Sequence, residues 1–315
     1  MPVVPDWPFR DGVISAADLL GWISDQLAAG NLNNSEKSRD NNAYRLDARL
    51  LLGLALGGDE PVFPHQDVEA GPGLSAALMP LIERRLKGEP VSRLRGWREF
   101  YSLRFELNAD TLDPRADSET LVAAAIEWLS GDGNRGSGHT TPPRVIDFGT
   151  GSGCLLLSVL AHCPDASGLG VDISDAAIRA ARNNAMNLGL GGRARFACTS
   201  WDDGVEGRFD AVLSNPPYIP AGDIPGLMPE VRMHDPLRAL DGGEDGLDAW
   251  RELLPATARR LNPGGRAFVE VGAGQQDAVA DLAGKSGLSC LNILPDLAGI
   301  GRCLILGHDQ RDRAE

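Results

Sequence analysis

The stretch VIDFGTGSGCLLLSVL, residues 145–160, decides the fold. It contains an apolar run that ends in Asp147, a glycine-rich loop and a second apolar run of helical length. Gly149, Gly151 and Gly153 let the backbone turn tightly and approach a ligand closely, because glycine has no Cβ atom. The free N–H groups at the start of the following helix would face that ligand. The stretch therefore predicts a strand, a ligand-binding turn and a helix.

Strand and helix patterns alternate on both sides of this stretch. The predicted strands are residues 144–148, 168–173, 194–198, 209–215, 265–272, 288–294 and 302–307. The predicted helices are residues 118–130, 154–163, 174–189, 246–261 and 275–287. This alternation predicts an α/β fold with a parallel, doubly wound sheet that has helices on both faces. Such a sheet binds ligands at the carboxyl ends of its strands, where the strand order reverses.

The N-terminal part has a different pattern. Residues 12–88 show helical spacing of apolar residues, as in ISAADLLGWISDQLAAG, residues 14–30, where Ser15 is a candidate N-cap. In WREFYSLRFELN, residues 97–108, apolar residues alternate with polar ones, which is typical of a strand. We therefore predict a small all-helical N-terminal domain and a short β-hairpin that links it to the α/β domain.

Length, charge and composition limit the possible functions. The chain has 315 residues and a formal net charge of −14. The length favours two domains, and the acidic balance argues against broad binding to nucleic acid or to anionic membranes. Five cysteines without a CxxC pair favour free thiols, and five scattered histidines favour no bound metal. Because no apolar run has the length of a signal-peptide core or a transmembrane helix, we expect a cytoplasmic protein.

Two acidic residues near the glycine loop indicate the kind of ligand. Asp147 would repel a pyrophosphate and attract an ammonium group, and Asp172, at the end of the next predicted strand, can bind both hydroxyl groups of a ribose. A ligand with a ribose and a positive charge but no phosphate fits S-adenosylmethionine better than NAD. Glycine loops also occur in nicotinamide and flavin enzymes and in ordinary turns. Trp201, after the third strand, is either a stacking partner for adenine or a partly buried loop residue.

The segment DAVLSNPPYIP, residues 210–220, ends the fourth predicted strand with Asn215, Pro216, Pro217 and Tyr218. An amide or base nitrogen is a poor nucleophile because its lone pair is delocalised, so methylation requires both of its N–H bonds to be held. The Asn215 side-chain oxygen and the Pro216 carbonyl can accept these two bonds, and the prolines fix that carbonyl in advance. Tyr218 offers a flat face to a planar amide or base. The alternative is a proline turn that only ends the strand.

Four segments, in this order, resemble the protein-(glutamine-N5) methyltransferases that modify peptide chain release factors: DFGTGSG, GVDIS, SNPPYIP and PEVRMHDPLRALDGGEDGL. The stretch RRLKGEPVSRLRGWREFYSLRFELNADTLDPRADSETLV is similar to the interdomain region of that family. The similarity covers residues 80–307. Two departures stand out. Asp113, Ala116 and Ser118 differ from the family pattern in DPRADSET, and Ser200 replaces the usual acid before Trp201.

The resemblance implies a class I (Rossmann-like) S-adenosylmethionine-dependent methyltransferase domain at 116–315, behind a helical substrate-docking domain at 1–95 and a hairpin linker at 96–115. The methyl acceptor would be N5 of the glutamine in the release factors' Gly-Gly-Gln loop, with no metal, no stable nucleic-acid partner and no membrane. The residues expected at the cofactor are Asp147, Gly149, Thr150, Gly151, Ser152, Gly153, Asp172, Trp201 and Asn215. The catalytic residues expected to hold the glutamine are Asn215, Pro216, Pro217 and Tyr218.

Two other functions fit parts of the pattern. A nucleic-acid methyltransferase acting on adenine N6 or guanine N2 would use the same clamp, but it would normally bring a basic groove or a target-recognition domain. A cofactor-binding module that serves as an assembly factor would not depend on Asn215. Incubation with labelled cofactor tests the first alternative, because the label would then enter nucleic acid and not a release factor. Asn215→Ala tests the second, because an assembly factor would keep its function in this variant.

Overall fold

The computed structural model of the chain describes residues 6–31, 41–131, 141–296 and 298–308. By their contacts these residues form two compact units. The first unit comprises Met1–Gly96 with Pro229–His234, and the second comprises Trp97–Met228 with Asp235–Glu315, each within its described residues.

The first unit is mainly helical. Its elements up to Gly96 are β1 (Gly12–Ser15), α1 (Ala16–Asn31), α2 (Asn41–Ala55), β2 (Asp67–Ala70), α3 (Pro72–Leu86) and α4 (Val91–Arg95). Leu19 of α1, Leu51 of α2 and Leu78 of α3 are completely buried in one apolar core. The Ser15 hydroxyl oxygen accepts a hydrogen bond from the Ala17 N–H at 3.2 Å. The serine expected to cap the first helix therefore makes a capping contact.

The N-terminal part also contains a small sheet, which corrects the prediction that it is all-helical. β1 and β2 pair in the antiparallel sense, with Gly12 opposite Ala70 and Ser15 opposite Asp67. Each strand has only four residues. A run of that length is too short to establish a period of two, and the partner strand lies far along the chain. Local sequence therefore carried no usable signal for this pairing.

From Trp97 onward, strands and helices alternate. In chain order the elements are β3 (Trp97–Phe100), β4 (Leu103–Glu106), α5 (Glu119–Ser130), β5 (Arg144–Phe148), α6 (Cys154–His162), β6 (Ser167–Asp172), α7 (Asp175–Asn187), β7 (Ala194–Cys198), β8 (Phe209–Ser214), α8 (Pro229–His234), α9 (Asp248–Arg260), β9 (Leu261–Glu270), α10 (Gln276–Lys285), β10 (Leu288–Pro295) and β11 (Gly301–His308). β3 and β4 form the predicted antiparallel hairpin.

Seven of these strands form one sheet in the order β10-β11-β9-β8-β5-β6-β7. β5 to β9 are parallel to their neighbours in that group, and β10 and β11 add an antiparallel edge. The predicted α/β fold with a mainly parallel, doubly wound sheet is confirmed. Because β5 has β6 on one side and β8 on the other, the strand order reverses between β5 and β8. Ligands bind sheets of this kind at such a point.

Alternate residues of the central strands enter two separate cores. Val145 and Leu213 pack with helices α5 and α6 on one face, whereas Ile146 and Val212 pack with α9 and α10 on the other. Side chains of a strand point alternately to opposite faces, so a sheet covered on both sides needs apolar residues at every position. The central strands are therefore rigidly held. Their carboxyl ends provide fixed positions for a site.

Helix α8 belongs to the first unit, although the sequence placed it in the domain 116–315. Within that unit the guanidinium of Arg85, which is 6% exposed, donates to Asp47 at 2.8 Å and to Glu230 of α8 at 3.3 Å. Glu230 lies 145 positions after Arg85, and no local pattern announces such a contact. The roles predicted for the three parts of the chain stay predictions.

In the described ranges no helix combines the length and apolar character needed to cross a membrane. All five cysteines are free thiols, and Cys163 and Cys303 are buried.

Candidate active site

The site begins where β5 and β8 end side by side. Phe148 pairs with Ser214 in the parallel register, and the Ser214 hydroxyl donates to the Phe148 carbonyl at 2.8 Å. The next residue on each strand is Gly149 or Asn215, so the glycine loop and the Asn-Pro-Pro-Tyr corner start from neighbouring positions. A cavity lies at this point, and its lining includes Asp110, Arg115, Ser118, Gly149, Thr150, Gly151, Ser152, Cys154, Asp172, Ile173, Trp201, Asn215, Pro216, Pro217 and Arg238.

The glycine loop has the backbone that its sequence requires. Gly149, Gly151 and Gly153 have φ angles of 71°, 54° and 82°, in the left-handed region that favours glycine. The N–H groups of Gly149 and Thr150 both donate to the carbonyl of Val171 at 2.9 Å, which ties the loop to β6. A Cβ on Gly153 would lie 3.0 Å from a methyl carbon of a helix side chain, so this position packs closely against its surroundings. The loop is therefore held in one conformation.

Asp172 links the loop to the end of β6. One carboxylate oxygen accepts from the Gly151 N–H at 3.0 Å, and the other accepts from the Ser174 N–H at 2.8 Å. Burial raises the pKa of Asp172, while these backbone hydrogen bonds act in the opposite direction. The carboxylate lines the cavity while its orientation is set by the backbone. Each carboxylate oxygen keeps capacity to accept a further hydrogen bond, and the binding of a ribose by Asp172 stays a prediction.

Asp147 does not reach the cavity, contrary to the expectation that it would face an ammonium group. The side chain has 0% exposure and accepts a hydrogen bond from the Thr150 hydroxyl at 2.7 Å. Burial raises the pKa of Asp147 to about 7. Thr150 lines the cavity, so Asp147 is linked to the cavity through its hydrogen bond with Thr150.

Trp201 lines the cavity with an unusual backbone. Its φ of 43° lies in the left-handed region, which bulky residues rarely adopt. The indole N–H donates to a carboxylate oxygen of Glu252 at 2.6 Å, and the ring packs edge-on against Phe148 with centroids 6.5 Å apart. These contacts fix the indole at the cavity wall. Its assignment to an adenine ring stays a prediction.

The Asn-Pro-Pro-Tyr corner is held by hydrogen bonds at both ends. The Asn215 side-chain amide donates to the Ser118 hydroxyl oxygen at 3.2 Å, and Ser118 donates in turn to Glu270. The Tyr218 hydroxyl donates to the other Glu270 oxygen at 3.2 Å, and the Tyr218 carbonyl accepts from Gln275 at 2.9 Å. Burial raises the pKa of Tyr218 and that of Glu270.

The residue types around the cavity fit S-adenosylmethionine better than a dinucleotide. Asp172 is available for a ribose, and Ile173 and Trp201 provide apolar surface next to it. The arginines that line the cavity already face acids, since Arg115 pairs with Asp235 and Arg238 pairs with Asp110. A pyrophosphate would need uncompensated cationic or N–H groups, whereas a nucleoside with a sulfonium does not.

Comparison with known proteins agrees with this geometry. Residues 138–225 match the family model described as Methyltransferase small domain. A release factor glutamine methyltransferase of Rhodospirillum rubrum is 48% identical over 262 residues, which cover 83% of this chain and 78% of the relative. The chain belongs to the release factor glutamine methyltransferase family.

Other relatives of this methyltransferase extend the match. A release factor glutamine methyltransferase of Cereibacter sphaeroides is 37% identical over 91% of this chain and 96% of its own. A solved protein-(glutamine-N5) methyltransferase (release factor-specific) of Alicyclobacillus acidocaldarius is 30% identical, with a TM-score of 0.36, and covers 65% of this chain and 100% of its own. Because that superposition is weak, family membership is based on the sequence relatives.

The methyltransferase brings most of the predicted site residues together. Those that line the cavity are Gly149, Thr150, Gly151, Ser152, Asp172, Trp201, Asn215, Pro216 and Pro217. Asp147, Gly153 and Tyr218 are not among the lining residues; Asp147 and Tyr218 contact lining groups or their partners instead. Whether the lining residues touch cofactor or substrate stays a prediction. Among the described residues, no cluster of three or more His, Cys, Asp or Glu side chains is placed to hold a metal ion.

Sequence reasoning missed several residues of the site. The sequence presents Ser118 only as a departure from the family pattern and indicates no role for Arg115, Arg238 or Glu270. Glu270 and Ser118 lie 152 positions apart, so only the folded sheet brings them into contact. One signal was available in the sequence, since an acid within the apolar run AFVEVG is unusual for a buried strand.

The raised pKa of Asp147 predicts how this methyltransferase responds to pH. The folded value of about 7 lies above the unfolded value of about 3.9, so the folded chain binds this proton more tightly. The stability that the tighter binding of this proton contributes to the folded state is present below about pH 4 and is lost as the pH rises through 7. The amide introduced by Asp147→Asn does not ionise, so we expect the Tm of this variant relative to the unchanged protein to rise by about 2 °C or more between pH 5 and pH 8.

Thermal unfolding followed by circular dichroism at several pH values measures this difference. Asp175→Asn is the matched control, because Asp175 is 63% exposed. The Tm of this variant relative to the unchanged protein should not vary with pH in this range. A relative Tm of Asp147→Asn that stays constant or falls with rising pH would contradict the prediction.

Proposed function

We propose that the chain transfers a methyl group from S-adenosylmethionine to the side-chain amide N5 of the glutamine in the Gly-Gly-Gln loop of peptide chain release factors. The observation that carries the proposal is the adjacency of the two halves of the site. The glycine loop with Asp172 and the corner that begins at Asn215 follow paired positions of neighbouring strands. Family membership gives this geometry its substrate class.

The corner supplies what amide methylation needs. With its Nδ2 bound to Ser118, the Asn215 amide has its oxygen left to accept one N–H of a glutamine. The carbonyl of Pro216 is placed by two successive prolines and would accept the second N–H. Fixing both N–H bonds orients the nitrogen lone pair, and preorganised groups of this kind stabilise the transition state without reorganising.

The other half of the site would hold the methyl donor. Asp172 would bind the ribose, and Trp201 would pack against the base. The glycine loop, whose glycines have no Cβ atoms, would let the donor come close to its backbone N–H groups. When bound, S-adenosylmethionine supplies an electrophilic methyl group on a sulfonium. The chain positions the acceptor nitrogen in line with that methyl group, which accounts for a large part of such a rate enhancement. We propose that no metal takes part.

The nucleic-acid alternative has no specific observation in its favour. The corner itself would accept a base amine as well as an amide. A net charge of −14 is unfavourable for binding a phosphate backbone, and the arginines at the cavity are paired with acids. We therefore propose a release factor as the partner, with the reaction taking place in the cytoplasm.

Mass spectrometry of a release factor co-expressed with the chain tests the proposal. We expect one additional methyl group on the glutamine of the Gly-Gly-Gln loop, absent without the chain and absent when that glutamine is replaced. Incubation of the purified chain with labelled S-adenosylmethionine and either release factor or total nucleic acid supplies the second test. Label in nucleic acid alone, or in no product, would overturn the proposal.

A further inference from the structure

Glu270 is a buried carboxylate for which the reaction described above gives no role. It ends β9 with 3% exposure, close to the fully buried apolar residues Phe268, Val269 and Val271. A carboxylate in an apolar strand costs free energy unless hydrogen bonds replace its hydration. An aliphatic side chain would avoid this cost. The groups that satisfy the carboxylate therefore indicate what it does.

Its two oxygens accept hydrogen bonds from two different side chains. Oε1 accepts from the Tyr218 hydroxyl at 3.2 Å, and Oε2 accepts from the Ser118 hydroxyl. Ser118 uses its one hydroxyl proton in this bond, so its oxygen meets any further partner as an acceptor. That partner is Nδ2 of Asn215, at 3.2 Å. Asn215, Ser118 and Glu270 thus form a hydrogen-bond chain with a single direction.

The direction of this hydrogen-bond chain decides which end of the Asn215 amide is available to bind a substrate. An amide has a donor end and an acceptor end of nearly the same shape. With the donor end bound to Ser118, the acceptor end is available to a substrate N–H. A rotation of the amide by 180° would turn its oxygen toward Ser118 and its two N–H donors toward the N–H of the substrate. Such a contact leaves donors without acceptors at a desolvated site.

We propose that Glu270 is a positioning residue for methyl transfer, which acts through Ser118 on the orientation of the Asn215 amide and through Tyr218 on the end of the corner. The inference rests on the proposed function, because the oriented amide acts there on a glutamine. The carboxylate suits this role since it accepts at both oxygens. A glutamine at this position would have to donate at one of them and would disturb one of the two bonds.

Steady-state kinetics on purified variants test the role. We expect Ser118→Ala and Glu270→Gln to lower kcat on the order of 10-fold or more, the loss of a charge-assisted hydrogen bond, with KM for S-adenosylmethionine and Tm little changed. The kcat of the double variant should be no lower than that of the poorer single variant, because both residues act through the same hydrogen-bond chain. Ser158→Ala is the matched control, since Ser158 is a fully buried serine of α6 whose hydroxyl has no hydrogen-bond partner among the described residues.

The kinetic result can overturn the inference in two ways. Values of kcat within about twofold of the unchanged protein would show that the orientation of the amide does not depend on Glu270. Multiplicative losses in the double variant, or losses that follow a lowered Tm, would show that the two residues act separately or only stabilise the fold.

A second measurement does not depend on the acceptor. In protein labelled with ¹⁵N-asparagine, the Asn215 side-chain signal is identified by its absence in Asn215→Ala. We expect one of its Nδ2 protons to exchange slowly with solvent in the unchanged protein and faster in Ser118→Ala and Glu270→Gln. Unchanged exchange in both variants would overturn the inference. If the protein shows this slow exchange of the Asn215 proton but methylates no release factor, the proposed function alone is overturned.

Discussion

Replacing Asn215 by alanine is expected to lower the turnover of release factor by about 100-fold or more. Alanine removes the oxygen that accepts one N–H of the glutamine, so the amide nitrogen keeps its lone pair in conjugation. Pro216 and the rest of the corner stay in place, because the backbone on this segment is fixed by proline and by the Gln275 contact to the Tyr218 carbonyl. We therefore expect the main loss in kcat, with a smaller loss in donor binding, since Asn215 is also expected at the cofactor. Single-turnover transfer of labelled methyl groups measures it.

Asn187→Ala is the matched control for this substitution. Asn187 ends α7, and its amide donates to Glu106 at 3.1 Å, away from the cavity. Its replacement should leave turnover within about twofold. An Asn215→Ala variant with nearly full turnover would contradict the role proposed for the Asn215 side-chain oxygen.

Replacing Asp172 by asparagine is expected to weaken S-adenosylmethionine binding on the order of 10- to 100-fold. Both carboxylate oxygens accept from backbone N–H groups, of Gly151 and of Ser174. An asparagine can accept at one of these positions and must place an NH₂ group against an N–H donor at the other. The glycine loop would shift, and the ribose would lose its acceptor. Isothermal titration calorimetry with S-adenosylmethionine or its demethylated product measures the affinity.

Asp175→Asn is the comparison for Asp172→Asn. Asp175 starts α7, is 63% exposed and pairs with Arg179 on the same helix. Its replacement removes the same charge three positions away but should leave the affinity unchanged. If both variants weaken binding equally, the effect comes from the general field of the protein and the local argument is wrong.

The central sheet could be predicted from sequence because its strands are short apolar runs between helices with clear periodicity. RVIDF and FDAVLSN were placed correctly to within a residue, and their adjacency follows from the rules of doubly wound sheets. The pairing of β1 with β2 was missed, since four-residue strands have no detectable pattern. The assignment of α8 to the first unit was missed for a related reason. Its contact with Arg85 connects distant parts of the chain.

At the site too, residues that a local turn requires could be predicted, whereas residues brought together by long-range contacts could not. Gly149, Gly151 and Gly153 were identified because a tight turn before a helix requires them locally. The position of Asp147 beside the loop suggests a carboxylate that points outward, whereas the strand period turns the side chain inward to Thr150. Glu270 was missed because its partners, Ser118 in a helical turn and Tyr218 in a loop, lie far from it in the sequence. Electrostatic arguments from sequence fail at buried acids, since burial and partners set their behaviour.

The pairing of Phe148 with Ser214 has a consequence for how new acceptors could arise in this fold. Adjacent strands are spaced about 4.8 Å apart by the backbone ladder, whatever side chains they carry. In the site proposed above, the loop that would hold the methyl donor and the corner that would hold the recipient nitrogen therefore start at a separation that the backbone sets. Loops at the rim can change and admit a different recipient molecule, while the starting points of the glycine loop and of the corner keep this separation.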